Sequence, residues 1–261
     1  MKMSRNATKD LTTGSPMKLI LGFGIPLLFG MLFQQFYNMM DTIIVGKFLG
    51  VSALASVGAT GSINFMIMGF CMGVCNGFAI PVAQRFGAKD EHGMRKFVAN
   101  SVWLSIIFAV VMAVLVCVFC RQILELMNTP EDIIDGSYSY IFVIFLGIPA
   151  TYMYNLLSGI MRSLGDSKTP LYLLIFSSIL NIILDLLSII VLKMGVAGAA
   201  WATVIAQAVS GFCCLGVIWK KFPILHVQRE EWQLDKLCIL NLCNMGIPMG
   251  LQYSITAIGS V

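Results

Sequence analysis

Two of the chain's thirteen acidic residues, Asp41 and Asp185, stand inside long apolar runs; the other eleven fall in the tail or loops. Sinking a carboxylate into a bilayer costs about 2.5–3.5 kcal/mol on insertion scales, so its default reading is functional. Each acid has polar company at helical spacing. Gln34, Asn38 and Asp41 recur at four and three, and Ser178, Asn181, Asp185 and Ser188 at three, four and three. Such spacing lines each set up along one side of a helix. Thr203, Gln207 and Ser210 repeat the pattern, as do Thr151, Asn155 and Ser158 ahead of Arg162. A hydroxyl in a membrane helix commonly bonds its own backbone or a neighbouring helix, and interhelical glue is one reading of these stripes. Glue does not need two acids. Four aligned polar faces with two carboxylates suggest instead a wet internal cavity. Asp41 lies near the end of its run with Lys47 six residues on, so a solvated helix end is its alternative. Asp185 lies near the middle of its run, where surface snorkelling explains it poorly.

The elements that carry these residues follow from composition. Of 261 residues 58% are hydrophobic and 11% charged, where a soluble domain is about a quarter charged. Continuous rather than alternating apolar segments exclude a β-barrel. We expect an all-α, polytopic membrane bundle. Its spans are Leu19–Val45, Val51–Val82, Phe97–Cys120, Gly136–Leu157, Leu171–Leu192 and Val196–Trp219, with Cys238–Val261 opening a seventh. The organisation is then a tail (1–18), a six-helix lobe (19–219), a linker (220–237) and the start of a second lobe (238–261). Fourteen Lys and Arg fall on the side of the tail and three, Lys47, Arg121 and Lys193, on the other. The amino terminus is therefore expected to be cytoplasmic in a cell membrane. No cleavable signal peptide is read in the tail.

Other features have quieter readings. Cys117 and Cys120 form a CxxC with no second pair or histidine nearby, which suits packing better than metal or redox chemistry. Gly69, Gly73 and Gly77 recur every fourth residue and flatten one helix face for close approach. Pro26, Pro81 and Pro149 interrupt the helical ladder, and Pro26 is the candidate for a functional kink. No GxxxxGK[ST] loop is present, which argues against an ATP-driven pump. A membrane enzyme needs ionisable residues gathered at one face, and His92 and His226 are solitary.

Gly24-Ile25-Pro26 opens the first span and Gly246-Ile247-Pro248 the seventh, an echo that suggests a lobe starting over. We therefore expect the chain to be a fragment, ending inside its seventh helix. GIPLLFG with QQFYNMMDTIIVGKFLG, then QRFGAKD, MRSLGDSKTPL, NIILDLL and GVAGAAWATVIAQ cover most of the first six spans. In their order and spacing they resemble the amino-terminal half of a multidrug and toxic compound extrusion (MATE) antiporter. The resemblance implies twelve helices in two lobes about a central cleft, and efflux of organic cations or amphiphilic drugs against inward H⁺ or Na⁺. It implies no cofactor, and it makes the second lobe, the bilayer and the small-molecule substrate the partners. The family's acids correspond to Asp41 and Asp185, with Asn181 beside the second, while Gln34 and Thr203 fall where the family lines its cavity. A flippase for lipid-linked substrates, from the same superfamily, is the alternative within transport.

From these readings the ion-coupling set is Asp41, Asn181 and Asp185, whose oxygens would also serve Na⁺. The cavity set is Gln34, Asn38, Asn155, Ser178, Ser188, Thr203 and Gln207. Two carboxylates in one low-dielectric cavity resist ionising together. A proton or Na⁺ there would displace a cationic substrate, and that exclusivity is the requirement for exchange.

Overall fold

The computed structural model describes residues 14–258, which form helices and short turns. In chain order the helices are α1 (Pro16–Leu49), α2 (Val51–Ala59), α3 (Gly61–Gly87), α4 (Glu91–Val118), α5 (Cys120–Leu126), α6 (Ile134–Leu146), α7 (Ile148–Ser163), α8 (Lys168–Leu186), α9 (Gly195–Lys221) and α10 (Lys236–Ile258). Most of the tail expected over 1–18 lies outside the described residues, as does the end of the seventh span. Five single helices are long and apolar enough to cross a membrane, and α6 with α7, bent by 46°, makes a sixth span. The chain is thus a multi-pass helical membrane protein. Large apolar side chains such as Leu28, Phe36, Val114 and Phe212 face outward, as a bilayer solvent demands.

Breaks in the helices have local causes. Gly50 takes φ +86°, the left-handed region that favours glycine, and so separates α1 from α2. The second expected span is two helices parted at Thr60, whose Oγ1 bonds the Val57 carbonyl at 2.7 Å. Pro149 sits in the first turn of α7, just past the bend at Gly147. Pro26 and Pro81, in contrast, lie within unbroken α1 and α3. Beyond Leu186, α8 widens into a π-helical turn, Leu187–Val191, so the stripe through Asp185 does not continue at α-helical pitch.

Two devices hold α10. The first is the glycine face of α3. A Cβ on Gly73 would meet the Met249 carbonyl oxygen at 2.6 Å, and one on Gly77 would meet Gly246 Cα at 2.5 Å. Backbone therefore lies on backbone, the close approach expected of that stripe. The second is a clasp between α4 and the segment 222–236. Glu231, its side chain 1% exposed, accepts from Arg95 Nε at 2.9 and 3.0 Å, His92 Nδ1 lies 2.9 Å from it, and the Gln228 N–H donates to it at 2.8 Å. Lys96 pairs with Asp235 at 3.1 Å, and Asn100 bonds both the Asp235 N–H and the Gln233 carbonyl. Trp232 closes the clasp edge-on against Trp103, 6.3 Å between centroids.

Burial pushes the Glu231 carboxyl up, but the Gln228 N–H, Arg95 and His92 outweigh it and hold it below the usual range. Lys96, with the Leu237 and Cys238 N–H groups, lowers Asp235 likewise. A depressed carboxylate contributes stability that is complete above its unfolded value and lost as pH falls through the folded one. Glu231→Gln should therefore destabilise by about 1–3 kcal/mol at neutral pH, with the gap to wild type closing on acidification below the unfolded carboxylate value of 4.5. Thermal unfolding of both proteins across pH measures this. On the other device, Gly73→Ala should cost about 1–3 kcal/mol by overpacking, while Gly216→Ala, with nothing within 4 Å of its added Cβ, should not.

Candidate functional site

Asp41 from α1 and Asp185 from α8 come together although 144 positions separate them in sequence. Asp41 is 9% exposed and Asp185 fully buried, and their carboxyl groups are close neighbours. Tyr140 from α6 lies near Asp41. Tyr37, one turn before Asp41, lies beside Thr203 of α9. Asn181 Nδ2 donates to Thr203 Oγ1 at 3.3 Å, which turns the asparagine's oxygen away from that bond.

Several oxygens of the centre lack partners, and so does the Tyr37 hydroxyl beside them. Asp41 Oδ1, both Asp185 oxygens and Asn181 Oδ1 are buried without a hydrogen-bond partner. Gln207 Oε1 and Ser210 Oγ, on the α9 face that carries Thr203, are likewise unpartnered. Ionised carboxylates only accept, so two in contact need a proton or a cation between them. Carboxylate and amide oxygens fit a hard cation such as Na⁺, and the same pair fits a shared proton.

A separate cleft of about 810 Å³ lies between α1, α3, α7, α8 and α10. Of the sequence-derived residues, Gln34, Asn155 and Pro26 line it. The rest of the cavity set goes elsewhere. Thr203 joins the acid centre, and Gln207 is half-buried outside the cleft lining. Asn38 is exposed, its carbonyl taken by Thr42 Oγ1 at 2.9 Å. Ser178 donates to the Leu174 carbonyl at 2.9 Å, the local back-bond a lone serine makes. Ser188, in the π turn, packs on α9 so closely that a Cβ on Gly198 would lie 3.1 Å from its own. Helical spacing thus found the faces but merged two places, the acid centre and the cleft, into one.

Four features escaped the sequence reading. Tyr37 carries the i−4 spacing to Asp41 that would have found it. Tyr140 has no local signal, because a different helix delivers it. The π turn after Asp185 is likewise invisible in an apolar run, although such turns are frequent at functional sites. Arg162, read only as a basic residue at a span end, lines the cleft with Asn76, whose Oδ1 accepts from its Nη2 at 3.3 Å.

Comparison with known proteins decides the family. The MatE family model matches residues 26–187, a stretch that begins at Pro26 and takes in both acids. The chain belongs to the MatE family. Among relatives of this MatE chain, the probable multidrug resistance protein YoeA of Bacillus subtilis is 31% identical over 249 residues, 92% of this chain and 53% of the relative. YpnP of the same organism, also a probable multidrug resistance protein, is 29% identical over 248 residues, 94% of this chain and 55% of its own. A solved outward-facing conformation of a multidrug resistance MATE family transporter of the MOP superfamily superposes with TM-score 0.89 at 26% identity. It covers 99% of this chain and 57% of the other. The MatE chain spans about half the length of the relatives it matches.

Asp185→Asn removes one charge from the buried contact and supplies a donor. At neutral pH the unfolding temperature in detergent should therefore hold or rise by up to about 2–4 °C, equivalent to about 1 kcal/mol. A drop of that size would mean that the carboxylates do not share their site.

Proposed function

We propose that this chain supplies the ion-coupling half of a secondary antiporter that exports organic cations and other amphiphilic drugs in exchange for H⁺ or Na⁺. The observation that carries the reading is the buried Asp41–Asp185 contact, with Asn181 beside it and its acceptor oxygens unpartnered. The family membership and the multidrug resistance roles of the relatives support it. Protonation, or Na⁺ held by Asp41, Asn181 and Asp185, cancels the charge that attracts a cationic substrate, so ion and substrate exclude each other. Energy suffices: one charge through 100 mV supplies about 2.3 kcal/mol, and a tenfold uphill step needs about 1.4 kcal/mol. In this reading the protein is a transporter rather than an enzyme and lies in the cell membrane with its amino terminus in the cytoplasm. The basic residues near the 87–91 turn, the α7–α8 turn and the 222–236 segment support that orientation. A second lobe, as long as the unmatched half of the relatives, is the partner against which alternating access would work.

The test is ion-driven drug efflux from vesicles that carry this chain fused to the unmatched half of YoeA. Asp41→Asn and Asp185→Asn should each abolish gradient-dependent efflux while leaving protein abundance unchanged. Efflux that persists in both would overturn the coupling assignment.

A further inference from the structure

The cleft has a polarity that the acid centre does not share. Among its described lining residues Arg162 is the sole charged side chain, and no aspartate or glutamate lines it. Arg162 sits in the last turn of α7, partly buried beside the cleft. Its guanidinium has five N–H donors, and among the described residues only Asn76 Oδ1 accepts from it, at 3.3 Å. None of the described salt bridges involves it. Asp166, four residues on, is already engaged: its carboxylate accepts from the Lys168 and Thr169 N–H groups at 3.0 Å and from Thr169 Oγ1. Ser163, the next hydroxyl along, donates to the Ala79 and Gly159 carbonyls. The guanidinium therefore offers a donor fork to the cleft with no anion among the described residues to meet it. Around it the wall is apolar, with Phe23, Leu27 and Met31 of α1 facing Leu171 and Leu174 of α8.

We propose that Arg162 is an anion-holding pole of the cleft, which admits amphiphiles bearing a carboxylate or phosphate. The acid group pairs with the guanidinium and the hydrocarbon lies between α1 and α8. A planar fork matches both oxyacids in bidentate fashion, and a low-dielectric wall strengthens the pair. The pole adds to the antiport reading and does not rest on it. A substrate with both charges would place its anionic group here, apart from the Asp41–Asp185 contact.

The test is equilibrium binding to the full chain in phosphatidylcholine nanodiscs, with no ion gradient and with empty nanodiscs as baseline. The probes are dodecyl phosphate and dodecyltrimethylammonium, equal in chain length and opposite in charge. Wild type should prefer dodecyl phosphate by about tenfold or more, the scale of a hydrogen bond to a charged group, and Arg162→Gln should erase the preference. Asn76→Asp places a carboxylate beside the guanidinium and neutralises it without removing it, so it should erase the preference with the unfolding temperature held or raised. Nanodiscs containing phosphatidylglycerol identify the source: competition with dodecyl phosphate assigns the pole to a lipid headgroup, and its absence to a soluble amphiphile. Dodecyl phosphate binding to wild type no tighter than to Arg162→Gln, or undiminished by Asn76→Asp, overturns the proposal. Because no gradient is applied, that failure is separate from a failure of ion coupling.

Discussion

Asp41 and Asp185 meet because α1 packs along α8 and brings a residue near the end of one helix beside a residue near the end of the other. Two carboxylates in contact, away from water, are an unstable arrangement unless something positive joins them. The surroundings do not remove the problem locally. Lys47 is six residues from Asp41, and none of the described ion pairs reaches either acid. Tyr140, Tyr37, Thr203 and Asn181 contribute short dipoles, not charge. In the proposed reading, a proton or a small cation is that positive partner.

The rest of the bundle holds its helices unequally. Helix α1 is unburied over its most apolar stretch, so its hold on the lobe comes from few neighbours, α8 foremost among them. Helix α10, in contrast, is anchored twice. Backbone lies against backbone at Gly73 and Gly77, and the Glu231–Arg95 and Asp235–Lys96 pairs pin its approach. The cleft lies between the lightly held α1 and the tightly held α3–α10 pair.

Much of this was legible in the residues alone. Uncharged runs longer than a bilayer is thick locate helices, since backbone groups in lipid must bond within their own segment. Two acids among apolar residues mark the site, because the cost of placing them there is hard to sustain without use. The glycines at every fourth position foretold a close helix approach, and α10 makes it. Even Tyr37 could have been read from its spacing to Asp41.

What remained hidden depended on which helix lies beside which. Periodicity describes one helix at a time, so it grouped Asn38, Ser178, Ser188 and Gln207 with Gln34 and Asn155 in one cavity. In the fold, the backbone takes Ser178 and the π turn turns Ser188 onto α9. Tyr140 lies near Asp41 from α6, and Arg162 stands in the cleft with no carboxylate among the described lining residues, neither of which has a signature along the chain. Sequence determined the solvent, the helices and the identity of the buried acids, because those follow from the transfer energy of each residue. Only the tertiary structure decided that the acids touch and that the cleft is a separate place with a basic pole, because contact between helices is fixed by side-chain packing across the bundle.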